Sequence, residues 1–372
     1  MYLALREMRF AKTRYALIMT IMLLVSFLVM FVTGLAKGLA YANASSIENI
    51  PADYFVVQKD ASQRFSRSEL GTSVIDETRS VVGNSNAAVL GVQMATVTHD
   101  GASQKIDVPF FAAETHGWIM PGVVEGRGIT NNTSDEVLVD QKLKESGVKL
   151  GSVIRDQMTG TAWTVAGFTR NESFSHAPVI FMNEQEWQSW KQKFSNHPQA
   201  SGNAAYNTIA IKATSSQADQ LKAKLPEMEI MSKKTAVSAI PGYKEEQGSL
   251  LMMIVFLFVI SGFVLAVFFY VITIQKTSQF GILKAMGTSS GYLAKSVLGQ
   301  VLLLTMVSLL VSILVILAAA RLLPESMPFQ LSGATIGLTG CLFVIMAMAG
   351  SVISIIKVNR VDALEAIGRV SA

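Results

Sequence analysis

Cysteine is almost missing from this 372-residue sequence. The single one, Cys341, lies inside an apolar run, so no intrachain disulfide can form. Charge is sparse as well, with Asp, Glu, Lys and Arg making up 16% of the chain. No block of lysine or arginine carries the interleaved aromatics of a nucleic-acid surface, which excludes nucleic acid as a partner. Nowhere does GxxxxGK run into Ser or Thr, so the chain has no P-loop, and an ATP-driven process would need its site on another subunit. GxSxG is missing, and the four histidines, His99, His116, His176 and His197, lack metal-ligand spacing such as HExxH. The expectation is a chain that is not an enzyme and binds no cofactor or metal of its own.

What the sequence does have is apolar residues gathered into long runs. Residues 15–36, 249–274, 296–320 and 331–356 are each long enough to cross about 30 Å of hydrocarbon. The first run is too long for the apolar core of a signal peptide and passes through Gly34, Lys37 and Gly38 without a clear cleavage site, so it reads as a retained helix. Basic residues set the direction. Arg6, Arg9, Lys12 and Arg14 precede the first run, Lys276, Lys284 and Lys295 lie between the second and third, and Lys357, Arg360 and Arg369 follow the fourth. The loop between the third and fourth holds only Arg321. The positive-inside rule then puts both termini in the cytoplasm of a multi-pass cell-membrane protein.

The expected fold is therefore an α-helical membrane protein with four transmembrane helices and a mixed α/β extracytoplasmic domain inserted between helices 1 and 2. Its segments are a cytoplasmic amphipathic stretch (1–14), helix 1 with an outer stalk (15–44), the α/β domain (45–245), helix 2 (246–274), a cytoplasmic loop (275–292), helix 3 (293–322), helix 4 (331–357) and a cytoplasmic tail (358–372). Apolar and β-branched content predicts strands at 54–57, 89–98, 106–111, 137–139, 163–168, 179–182 and 208–211. Asn183 followed by Glu186 reads as a capping box for a helix through Phe194, and 216–225 reads as a helix stopped by Pro226.

The loop after the second run reads Gln275-Lys-Thr-Ser-Gln-Phe-Gly-Ile-Leu-Lys-Ala-Met-Gly287. A short amphipathic helix there would present Phe280, Leu283 and Met286 on one side and Lys284 on another. Gly287 suits a left-handed C′ position, and Thr288 or Ser289 can cap the next helix. Spacing alone leaves open whether such a face meets a protein groove or lipid headgroups.

The segment Gly281-Ile-Leu-Lys-Ala-Met-Gly287 resembles the signature of the FtsX/MacB-like ABC transporter permeases. Four spans, a domain inserted after the first, and the tail Asn359-Arg-Val-Asp-Ala-Leu-Glu-Ala-Ile367 agree with that pattern. So do Glu136-Val-Leu-Val-Asp-Gln-Lys-Leu143, Gly147-Val-Lys-Leu-Gly151 and Thr164-Val-Ala-Gly167. Where many relatives carry glutamate two residues before the first loop glycine, this chain has Gln279, a variant similar to the HrtB/DevC-like branch. The resemblance implies a permease that pairs with a second copy and with two ABC ATPase subunits, which carry ATP and Mg. It places ATPase coupling on Phe280, Gly281, Leu283, Lys284, Met286 and Gly287, and it makes haem the expected substrate. Export of lipid, glycolipid or peptide, or transmission of a signal to an extracellular partner, are the alternatives.

Gly34, Gly38 and Ala42 fall at i, i+4 and i+8, a stripe that suits close helix packing or leaves a thin slot for a planar ligand. If the ligand is haem, Met30, Tyr41 and Glu48 are candidate iron ligands, and Lys37 can meet a propionate. The pairs Gly262/Ala266 and Gly333/Gly337 read as packing contacts.

Overall fold

A computed structural model describes residues 12–100, 104–194, 206–324 and 327–359. The expected N-terminal stretch up to residue 11 and the tail from 360 onward lie outside the described residues. The chain divides into two compact units, one formed by Met1–Gly38 with Gly248–Ala372 and the other by Leu39–Gln247.

The first unit is helical. Helix α1 (Lys12–Glu48) contributes its first part, and four helices follow later in the chain. Among the described residues, four helices are long and apolar enough to cross a membrane. Tyr15, Ile18, Met22 and Met30 of α1 pack with Leu265, Phe269, Val301, Leu304, Phe343 and Ala347 into the core of this unit.

The inserted unit is an α/β domain whose elements are β1 (Tyr54–Gln58), α2 (Thr72–Val82), β2 (Ala87–His99), β3 (Ile106–Ala113), β4 (Glu125–Gly126), β5 (Glu136–Asp140), β6 (Val153–Asp156), β7 (Ala162–Thr169), β8 (Ser173–Phe174), β9 (Ala177–Pro178), β10 (Ile180–Met182), α3 (Glu184–Phe194), β11 (Thr208–Ile211), α4 (Ser215–Lys224), β12 (Met228–Ser232) and α5 (Lys233–Ser238). The main sheet runs β12-β1-β11-β2-β3-β10-β5-β7-β4, with β6 pairing to β2 and β7. It is mostly antiparallel; β3 with β10 and β5 with β7 are the parallel pairs. Because successive strand residues point to opposite faces, neighbours feed different cores. Val56, Phe110, Val139 and Ile209 enter one, with the tryptophans Trp163, Trp187 and Trp190. Phe55, Phe111, Leu138 and Ala210 enter the other, with Ala44 and Ile47 from the end of α1.

Local chemistry explains several boundaries. Asn183 caps α3 by accepting from the Glu186 N–H at 2.8 Å. The Glu186 carboxylate, expected to complete a capping box, instead accepts from the Asp135 N–H and the Trp163 indole N–H, both at 3.1 Å. The full reciprocal box sits at α4, between Thr214 and Gln217.

The remaining helices are α6 (Tyr243–Gln275), α7 (Thr277–Ala285), α8 (Ser290–Leu322) and α9 (Gly333–Asn359). Helix α6 starts three residues before the expected 246, and α8 starts three before the expected 293. Gly262 faces the Met346 side chain, and a Cβ on Gly350 would lie 3.3 Å from the Ala266 backbone, so the Gly262/Ala266 pair is a packing seam between α6 and α9. Gly333 and Gly337 are not: a Cβ on either would meet nothing within 4 Å.

Candidate functional site

Lys276 interrupts the helix between α6 and α7, with φ −98 and ψ 3. This break sets how the short α7 is used. Phe280 is buried against Leu293 and Val297 of α8, with Leu283 packed alongside. Gly281 is buried too. The expected apolar docking face of Phe280, Leu283 and Met286 is therefore split. Two of its members close a small core within the chain, while Met286 stays 70% exposed and Ile282 is 45% exposed. Ile282 and Met286 are i, i+4 neighbours on the helix surface. Sequence reasoning passed over Ile282, because a nine-residue segment gives no clear phase for which apolar side faces inward. Gly287 has φ 93, its N–H bonds the Lys284 carbonyl and the Thr288 N–H bonds that of Leu283, as a glycine C-cap requires. Ser289, rather than Thr288, caps α8.

Lys276 itself is buried. Its ammonium donates to the Tyr15 hydroxyl at 2.7 Å and to Gln300 Oε1 at 3.2 Å, and Tyr15 donates to the same oxygen at 3.2 Å. This cluster joins the start of α1, the α6–α7 break and α8. The sequence reading treated Lys276 only as a flanking charge; its signal was a lysine at the end of one apolar run and a lone glutamine inside another.

The glycine stripe of α1 is occupied by the chain itself. A Cβ on Gly38 would sit 2.2 Å from the Pro328 carbonyl oxygen, and one on Gly34 would sit 2.5 Å from the Phe329 ring. The Gln330 N–H also bonds the Gly34 carbonyl at 3.1 Å. Of the two readings of the stripe, close packing is the one seen here: segment 328–331 uses the glycines for close approach. Met30, offered as an iron ligand, is 1% exposed in the core of the helical unit. Lys37 is exposed. Tyr41 and Glu48 belong to the inserted unit. There the Tyr41 hydroxyl donates to Asn49 Oδ1 at 2.9 Å, and Glu48 lies on the surface with its carbonyl accepting from Lys233. The six candidates are accordingly divided between two units rather than shown as one site. Among the described residues no three His, Cys, Asp or Glu side chains converge as a metal site.

Residues 251–363 match the FtsX-like permease C-terminal family. Along its whole length the chain is similar to the "Putative hemin transport system permease protein HrtB" of Staphylococcus haemolyticus, with 31% identity covering 99% of each chain. The HrtB protein of Staphylococcus epidermidis is 30% identical over the same shares. Among solved structures, the periplasmic region of MacB from Actinobacillus actinomycetemcomitans aligns over 52% of this chain and 95% of its own, at 14% identity and a TM-score of 0.36. The whole-length identity to the staphylococcal proteins decides the matter: the chain belongs to the FtsX-like ABC transporter permeases.

Proposed function

We propose that this permease exports haem from the membrane, driven by a separate ABC ATPase. The observation that carries the reading is the 31% identity, over 99% of both chains, to a permease named for hemin transport. The family implies an ATPase component; the proposed assembly has two permease copies and two ATPase subunits that hold ATP and Mg. The exposed Ile282 and Met286 of α7 offer that ATPase an apolar anchor, with Gly281, Lys284 and Gly287 shaping the same short helix. The inserted domain lies outside the cell and both termini lie inside.

The glycine face of α1 is the proposed entry for the substrate. It now receives the Phe329 ring, so its width suits a planar aromatic body, and the exposed Lys37 stands three residues from Gly34 to meet a carboxylate. Haem would enter there when segment 328–331 withdraws. The test is a haemin titration of the purified permease. A saturable Soret change is expected, weakened by Lys37→Ala, together with protection of cells from haemin that requires the ATPase. Absence of both binding and protection in the intact complex would overturn haem as the substrate.

A further inference from the structure

Within the inserted unit, residues 171–178 grip the ends of two long helices. On the α1 side, Ser45 Oγ accepts from the Ser173 N–H at 2.9 Å, Ser46 donates to the Ser173 carbonyl at 2.9 Å, and the Ser175 N–H donates to the Asn43 carbonyl at 2.8 Å. Asn49 donates from Nδ2 to the Asn171 carbonyl at 3.0 Å and to Glu172 Oε1 at 3.1 Å. On the α6 side, Glu246 Oε2 lies 2.9 Å from His176 Nε2 and accepts from Asn43 Nδ2 at 2.7 Å. Ser175 and His176, with φ values of 51 and 63, form the two-residue turn of the β8–β9 hairpin, and Asn171, with φ 59, precedes it.

Behind this grip lies a pair of buried acids. Asp140 is fully buried, its two oxygens taken by the Lys142 N–H at 2.9 Å and the Glu172 N–H at 2.7 Å. Glu172 is 6% exposed. The Lys142 ammonium, which lowers the cost of charge on Asp140, donates to Ser173 Oγ at 2.9 Å. The other charged or titratable groups brought to this junction are Tyr41 and Glu48 from α1, Arg170 beside Glu172 on its own loop, Lys233 against the Glu48 carbonyl, and the His176–Glu246 pair across the hairpin. A carboxyl in such a place keeps its proton more readily than one in water.

We propose that Glu172 is a proton-operated latch, holding segment 171–178 against the end of α1 while its carboxyl is protonated and releasing it when the proton leaves. The reading does not depend on which substrate the permease carries. Its sign follows from the environment. Burial, opposed by the Asn49 hydrogen bond and reinforced by the Asp140 charge, pushes Glu172 up to about 8 from 4.5. Released into water, the group would return to its ordinary range. The latched state therefore binds more protons between those limits. The latch is strongest below about 4.5, loses strength as pH rises, and has lost the proton's contribution above about 8. Within that window each pH unit changes the latched-to-released ratio by up to about tenfold.

Hydrogen–deuterium exchange on the full-length protein in detergent, from pH 5.5 to 8.5 (corrected for the intrinsic rate), reads this directly. Peptides covering 171–178 and 41–50 should open more at high pH, by about tenfold or more over the range, while β2 stays protected. Glu172→Gln keeps an acceptor for Asn49 and cannot ionise; its protection should be flat with pH. Protection of the wild-type segment that does not change relative to β2 overturns the latch. So does a pH dependence retained by Glu172→Gln. If that variant loses β2 protection, and hence its fold, the wild-type profile alone decides.

Discussion

Gly34 and Gly38 face the same segment, yet an added methyl would meet different obstacles. At Gly34 the obstruction is the far end of the Phe329 side chain, which can swing; at Gly38 it is the Pro328 backbone carbonyl at 2.2 Å, which cannot. Alanine also gains about 1 kcal/mol of helix propensity over glycine. Gly34→Ala should thus be close to neutral, whereas Gly38→Ala should lose about 1–3 kcal/mol of packing. Thermal unfolding of the purified chain checks this: a clear drop for Gly38→Ala and little change for Gly34→Ala, with equal effects counting against the assigned contact. The i, i+4 spacing made the small face legible in the sequence. Its occupant was not, because a stripe of glycines specifies close approach without saying what approaches. The same limit applied to Lys276, whose partner Tyr15 is 261 positions away, and to Met30, whose sulfur suits both a ligand and a core.

At the scale of elements, α7 makes the sharpest distinction between what supports the permease and what it offers a partner. Phe280 and Leu283 belong to the small core with Leu293 and Val297, while Ile282 and Met286 face outward. A charge at Phe280 would be buried without a partner, at a cost of a few kcal/mol, so Phe280→Asp should impair the permease itself and lower its monodisperse yield. Met286→Asp should leave the yield intact and weaken copurification of the ATPase. Undiminished ATPase binding by a Met286→Asp and Ile282→Asp double variant would remove this face from the coupling role. Long strands such as β2 and β3 were readable from their apolar and β-branched content. Helix α2 was not, because Thr78 takes a fully buried position that apolar patterning would assign to an aliphatic residue, its hydroxyl satisfied by the Val74 carbonyl at 2.7 Å. The β8–β9 hairpin, with two residues per strand, is too short to show any period.

For the whole molecule, the spans were legible because a charge-free run of twenty or more residues has few other uses. Their full lengths were not. Helix α1 has 37 residues, about 55 Å at 1.5 Å per residue, well beyond the hydrocarbon thickness. Its polar end stays helical because Ser45 and Ser46 find partners on Ser173 and the Asn43 amide donates to Glu246. Orientation rests on a different asymmetry. Basic residues collect before and at the start of α1, from the end of α6 to the start of α8, and at and beyond the end of α9, whereas Arg321, in the last turn of α8, stands alone at the opposite end. Lys276 belongs to this count even though it ends up buried, because the rule acts while segments insert, before the lysine meets Tyr15. The proposed topology puts both termini on one side and the residues between α1 and α6 on the other. The check begins by replacing Cys341, which is exposed on α9, with serine. A cysteine at Ser189, exposed on α3, should then react with an impermeant maleimide in intact cells. One at Ser289 should react only after the membrane is opened, with loss of its cap costing about 1 kcal/mol. The reverse pattern would invert the topology, put the inserted domain in the cytoplasm, and leave α7 on the wrong side for an ATPase.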